Sequence, residues 1–258
     1  MTTTMQATAR PMRGETCLIV GGSSGLGRAL AERFAAQGYA VVLISSDRRD
    51  LDALAADLAL RFGIESASLS MDLCASQLAL EELERSLEAM PPLSVVLAPA
   101  GVNSDDDVIE EASSTREALL RGNFGSLCQI ISHCLPRLTA APAALIVGFG
   151  SVAAVRGRSR NVAYSAAKRA LQCYFESLRH ALSDRQVEVQ FYVLGYLDTN
   201  LAFGKRTPIR RASPIRLAEY IFRRRADSFG VKHYPAIWRP ICAVVRWLPW
   251  SVFRRLQF

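Results

Sequence analysis

Apolar residues along the chain fall into short continuous runs, separated by stretches in which they recur every three or four positions. "TCLIV" (16–20), "YAVVLISS" (39–46), "SASLSMDL" (66–73), "LSVVLAPAG" (93–101), "AALIVGF" (143–149) and "VEVQFYVLG" (187–195) have strand length and β-branched content. Helical spacing fills the intervals at 24–38, 48–63, 77–89, 114–137 and 163–183. Ser213-Pro214 reads as an N-cap followed by a first-turn proline, opening a helix over Ile215–Ala226. Continuous strands alternating with amphipathic helices predict an α/β domain whose parallel sheet is covered on both faces. There is no internal repeat and no linker, so one catalytic-size domain is expected over 14–230, with 231–258 as a separate C-terminal tail.

Composition sharpens this in two ways. Half of the 258 residues are apolar, enough for a substantial core. The net charge of +7 is uneven: residues 204–258 carry 13 Lys/Arg against 2 Asp/Glu, whereas the remainder is slightly acidic. All three tryptophans, Trp238, Trp247 and Trp250, lie in the closing "WRPICAVVRWLPWSVFRRLQF", which Pro240 and Pro249 break into two short apolar-basic pieces. These are shorter than the about 20 apolar residues that span a bilayer, but they have the make-up of an interfacial element. Packing on the chain's own domain or on a second subunit, with Trp238 and Phe253 as core or seam residues, is the other reading. Nucleic acid ranks last, because no base-stacking element accompanies the charge. The six cysteines sit mostly in apolar runs without a C-x-x-C pair, so buried reduced thiols are expected and no metal site. The first residues lack a signal-peptide core, and a cytoplasmic protein is expected.

"VGGSSGLGR" joins the first strand to the first helix. Glycines at Gly21 or Gly22, Gly25 and Gly27 allow a tight turn, close approach of backbone amides to a pyrophosphate, and close helix packing. In a strand-helix-strand unit of this length that pattern predicts dinucleotide binding. Ser45 and Ser46 end the second strand where a carboxylate would select NAD, and Arg48 and Arg49 follow closely, so NADP(H) is favoured over NAD(H). Asp47 counts against this, since a small shift of the loop would bring it to the ribose. Tyr164 and Lys168 are four residues apart on a predicted helix and share a face. A cation there can stabilise a phenolate, and Ser151 lies just after a buried strand, 13 residues earlier.

The glycine turn, the serine-to-tyrosine spacing and "YSAAK", in that order, resemble the short-chain dehydrogenase/reductase family over roughly residues 15 to 200. The resemblance implies a Rossmann-type, doubly wound, single-domain enzyme exchanging a hydride between nicotinamide and a carbonyl or secondary alcohol. It implies Tyr164 as proton donor or acceptor, Lys168 lowering the tyrosine pKa and holding the nicotinamide ribose, and Ser151 orienting the carbonyl. Asn123 matches the asparagine of a water-linked proton relay; local bonding inside its helix is the plainer reading. Gly21, Ser23, Ser24, Gly25, Leu26 and Gly27 would meet the cofactor, together with Leu73 and Gly101. Asp72 would contact the adenine, with a turn or N-cap role as the alternative, and Thr199 would meet the carboxamide, with turn chemistry as the alternative. Val20, "APAG" (Ala98 to Gly101) and Leu194 depart from the family pattern, which suggests a divergent branch.

Residues 200–230 occupy the region that closes over substrate in that family. A tail of this composition next to it suggests an amphiphilic carbonyl substrate and work at the inner face of a membrane. Reductases of lipid-linked keto-sugars, as in decaprenylphosphoryl-ribose epimerisation, and 3-ketodihydrosphingosine-like reductases are the two branches that fit, the first resembling the ending more. A homo-oligomer is expected. A soluble reductase with the tail as a dimer seam, and a non-catalytic NADP-binding scaffold, are the competing readings.

Overall fold

A computed structural model describes residues 14–109, 113–199 and 210–255. Within them, seven parallel strands form one sheet: β1 (Thr16–Val20), β2 (Ala40–Ser45), β3 (Ser66–Ser70), β4 (Leu93–Ala98), β5 (Ala144–Ser151), β6 (Val187–Leu194) and β7 (Val231–Tyr234), in the order β3-β2-β1-β4-β5-β6-β7. The helices are α1 (Gly25–Ala35), α2 (Arg48–Phe62), α3 (Leu80–Glu88), α4 (Ser113–Leu120), α5 (Ser126–Ala140), α6 (Val162–Ala181), α7 (Pro214–Arg223), α8 (Trp238–Trp247) and α9 (Trp250–Phe253). This is the doubly wound architecture the alternation predicts.

Side chains of each central strand leave alternately on opposite faces, and both faces are dry. Leu18, Val20, Val42 and Ile44 pack in one core with Leu83 of α3, Ile130 and Cys134 of α5, and Leu171 and Phe175 of α6. Cys17, Ile19, Val41 and Leu43 pack in the other with Leu30 and Phe34 of α1, Leu54 and Leu58 of α2, and Ile221 and Phe222 of α7. A one-residue slip would exchange the two sets between cores shaped for different partners, so register is strongly specified.

Three features differ from the sequence-based expectation. Strand β7 was not anticipated: "VKHY" is short, lies at the sheet edge with every residue half-buried, and shows no continuous apolar run. It carries the sheet past the boundary expected at 230 and into the segment set aside as tail. The single helix expected over 114–137 is interrupted by a π-helical turn at Arg121–Gly125, centred on Asn123. Pro240 does not break the tail but lies in the first turn of α8, where its missing amide proton costs no helical bond. The expected Ser213 cap is present, its hydroxyl accepting from the Arg216 amide, and α7 ends at Arg223.

Strands β1 and β4 are neighbours although β2 and β3 separate them in sequence, and the side on which successive strands are added switches at this point. Their following loops therefore part, leaving a crevice beyond the carboxyl ends. The crevice is the place to look for a cofactor.

Gly148 on β5 gives a test of the packing that supports this arrangement. A Cβ there would lie 2.5 Å from the ring of the fully buried Phe175. Gly148→Ala is expected to destabilise the protein by about 1–3 kcal/mol through overpacking, seen as a lower urea midpoint with unchanged m-value.

Candidate active site

The glycine turn fills the crevice between β1 and β4. Gly21 has φ +96°, and a Cβ on it would sit 2.7 Å from the Ala100 Cα, so glycine is what lets the two loops touch. The Ala100 amide donates to the Val20 carbonyl at 2.9 Å and fastens the contact. Gly27 lets α1 pack beneath the turn, since a Cβ there would lie 1.8 Å from the Gly21 carbonyl oxygen. Ser24, the N-cap residue of α1, makes no side-chain capping bond, and the first turn holds no acid. The first amides of α1 are thus left facing the crevice with the positive end of the helix dipole, which suits a pyrophosphate. Leu26 turns its side chain into the core and can meet a ligand only through its backbone. Thr199 is brought over the start of α1, its Cγ2 3.0 Å from where a Gly25 Cβ would be.

At the end of β2, the Ser45 and Ser23 hydroxyls are hydrogen-bonded at 2.9 Å, joining the two loops that would flank an adenosine ribose. Asp47 caps α2 by accepting from the Asp50 amide at 3.1 Å. Ser46 and Arg48 are exposed beside it, Arg48 lying 3.6 Å from the Asp52 carboxylate. Asp72 makes a turn, accepting from the Cys74 amide at 2.8 Å, which is the plainer of its two expected roles. Leu73 is buried and its carbonyl accepts from the Ser126 hydroxyl.

Ser151, Tyr164 and Lys168 converge at the carboxyl end of β5. Ser151 closes the strand, and its hydroxyl accepts from the Ala153 amide at 3.1 Å. Tyr164 lies in the first turn of α6, its phenol near enough to the Ser151 hydroxyl to feel it. Burial pushes its phenol pKa up, and the Ser151 hydroxyl and the charge of Arg158 pull it back in part, so the group is an acid at neutral pH. Lys168, one turn along, is 3% exposed and donates to the Ala100 carbonyl at 2.8 Å. Burial pushes its pKa down to about 8. The charge of Arg158 also favours the phenolate, a residue that sequence reasoning passed over because it lies in an arginine-rich loop.

Asn123 is fully buried and all its side-chain bonds reach known partners. Its Oδ1 accepts from the Val102 amide at 3.0 Å, and its Nδ2 donates to the carbonyls of Val102 at 2.7 Å and Leu119 at 2.9 Å. It clamps the loop after β4, holding Gly101 within 3.5 Å of Lys168 Nζ as measured from the position of a Gly101 Cβ. The π-helical turn around it is the local deformation that accompanies this reach.

Asp107 was missed altogether. It is 4% exposed, and its carboxylate accepts from the Ala163 amide at 2.8 Å and the Tyr164 amide at 2.9 Å. Asn161, just before α6, has φ +55° and offers no side-chain cap, so a remote residue performs that task. In sequence Asp107 closes "DDD", which reads as a solvated loop. The signal that could have found it is the absence of a good cap ahead of "VAYSAAK".

Comparison with known proteins fits this geometry. The family model described as short chain dehydrogenase matches residues 15–208. The chain belongs to that family of oxidoreductases. It is similar to a dehydrogenase/reductase SDR family protein 7-like of Anopheles gambiae, 28% identical over 206 residues, covering 78% of this chain and 65% of that protein. It is likewise 28% identical over 207 residues to a very-long-chain 3-oxoacyl-CoA reductase of Podospora anserina, covering 78% of this chain and 60% of that one. The match thus spans less than two thirds of either relative. Among solved structures, a short-chain dehydrogenase from Sphingobium yanoikuyae in complex with NADPH superposes with TM-score 0.76 at 24% identity, over 94% of this chain and 96% of that one.

Two measurements test the site. An unfolded Lys168 titrates near the usual 10.5 and the folded one near 8, so between these pH values the unfolded chain holds more protons and stability from this group rises with pH. The stability difference between the cofactor-free protein and Lys168→Met is expected to move in favour of lysine from pH 8 to 10.5; a flat difference would show that Lys168 titrates normally. Asp107→Ala is expected to lower kcat about tenfold to a hundredfold by loosening Tyr164, with little change in the KM for NADPH. Asp107→Asn, which keeps an acceptor, should recover part of that loss.

Proposed function

We propose that the protein reduces a ketone with NADPH as hydride donor, the substrate being a lipid-like or lipid-linked carbonyl compound. The observation that carries this is the buried Tyr164 phenol, kept in its acid form near Ser151, together with a glycine turn whose close packing suits a pyrophosphate. Bound NADPH supplies the hydride. The chain's own residues then have defined tasks: Ser151 orients the carbonyl oxygen, Tyr164 donates the proton to that oxygen, and Lys168 faces the nicotinamide ribose beside Gly101. Thr199, over the start of α1, would meet the carboxamide.

Preference for NADPH is supported at the end of β2. The carboxylate that would favour NAD, that of Asp47, is engaged in capping α2, while Ser45, Ser46, Arg48 and Arg49 line the same edge. The bound NADPH of the Sphingobium relative in fold agrees with this. Asp72 lies near the adenine end of the crevice in this reading, though its carboxylate is occupied in a turn.

For the substrate, the support is chemical and comparative. The Podospora relative is named for a long-chain oxoacyl substrate, and the apolar-basic tail suits an amphiphile. Long-chain ketones and lipid-linked keto-sugars both fit, at the inner face of a membrane facing the cytoplasm. Part of the segment expected to close over substrate, residues 200–209, lies outside the described residues. A non-catalytic scaffold is disfavoured by the assembled Ser151, Tyr164 and Lys168. A soluble homo-oligomer using the tail as its seam is the second reading, supported by the exposed Val244, Trp247 and Trp250, which a second copy would cover.

Tyr164→Phe is expected to lower ketone reduction at least about a hundredfold, with NADPH binding, read by cofactor fluorescence, almost unchanged. In the wild type, NADPH should show the lower KM of the two cofactors, and a long-chain ketone in mixed micelles a higher kcat/KM than a short soluble one. Equal loss of turnover and binding would overturn the role of Tyr164, and a lower KM for NADH the cofactor choice.

A further inference from the structure

The tail has two unlike faces. Trp238, Cys242 and Phe253 are buried against the chain's own domain, while Val244, Trp247, Trp250 and Val252 are exposed, Trp247 by 82% and Trp250 by 66%. Arg239, Arg246, Arg254 and Arg255 surround the outward residues and are exposed as well. No carboxylate side chain occurs after Asp227 in the sequence, so these arginines have no acidic neighbour in their own segment. Exposed tryptophans rimmed by unopposed arginines match the headgroup layer of an anionic bilayer: the indoles suit the interface and the guanidinium groups suit lipid phosphates.

The same segment is tied to the catalytic loops at two places. Arg156, between Ser151 and Tyr164, donates to the carbonyls of Val245 at 3.2 Å and Leu248, and its guanidinium lies 4.0 Å from the centre of the Phe253 ring. Trp238 packs on Gly195, where a Cβ would overlap the indole nitrogen, and meets the Tyr196 ring edge-on at 5.4 Å. Gly195 and Tyr196 lead from β6 to Thr199. The inward face of the tail is thus held by the loop carrying Ser151 to Tyr164 and by the loop carrying Thr199.

We propose that the outward face of α8 and α9, Val244, Trp247, Trp250 and Val252 with Arg246, Arg254 and Arg255, docks on an anionic lipid bilayer and holds the catalytic loops at the membrane surface. A ketone with a long apolar chain then reaches the site from the bilayer without first dissolving in water. Each arginine near an anionic surface strengthens binding by about fivefold, and screening by salt weakens it. This deepens the proposed substrate class but does not depend on it, since vesicle binding and ketone reduction are read separately.

The test is co-sedimentation of the full chain with phosphatidylcholine vesicles and with phosphatidylcholine/phosphatidylglycerol vesicles, at low and high salt. The expected result is binding to the anionic vesicles alone, weakened by salt. Trp247→Ser with Trp250→Ser should reduce it at least about tenfold, and so should Arg246→Gln with Arg254→Gln and Arg255→Gln. Reduction of a short soluble ketone should be unchanged in both variants, which also shows that they fold. Failure of the wild type to sediment with anionic vesicles, or equal binding by the tryptophan variant, overturns docking while leaving the reductase reading intact. A seam between two copies would appear as a dimer by light scattering that the tryptophan variant converts to monomer, without vesicle binding by the wild type; that result also overturns the proposal.

Discussion

The contact between the ends of β1 and β4 governs the rest of the site. Gly21 can touch Ala100 because it lacks a Cβ and tolerates a positive φ. Ala100 in turn receives the Lys168 ammonium on its carbonyl, and the next two residues of its loop carry Gly101 and the Asn123 clamp on Val102. The glycine turn and α6 are therefore joined through one short loop. The departures of "APAG" from the family pattern fall in this loop, and Ala100 itself makes the close approach, so the loop retains its task with different side chains.

Burial sets the chemistry at this junction. A lysine almost out of water is easier to deprotonate, and a buried phenol harder, so the two pKa values move apart. Arg158 moderates the phenol from the loop side, and Asp107 places an anion at the start of α6 to hold the amides of Ala163 and Tyr164. The tyrosine is thus positioned through its own helix by Asp107, with Ser151 near its hydroxyl.

The tail brings these loops together with the protein's surface chemistry. Arg156 is the link, because it belongs to the catalytic loop by sequence and to α8 and α9 by hydrogen bonding and ring stacking. Among the described residues no helix is long and apolar enough to cross a membrane. Trp238 and Phe253 took the inward, self-packing role, whereas Trp247 and Trp250 are exposed.

Runs such as "CLIV" and "VVLI", the glycine turn and the Tyr164-Lys168 spacing were legible in the sequence because each is a local code, set by side-chain period, by φ, or by helical repeat. They determined six of the seven strands, the α/β class and the candidate site residues. Strand β7 was not legible, since a half-buried edge strand needs no apolar run, and neither was the π-helical turn, which depends on what Asn123 reaches across the fold. Asp107, Arg156 and Arg158 belong to the same group: their partners lie up to 92 residues away in the chain. The sequence by itself determined which groups are available and how they are spaced along each element. Tertiary structure decided which of them are buried, bonded or facing outward, because burial and long-range hydrogen bonds are properties of neighbours that no local pattern encodes.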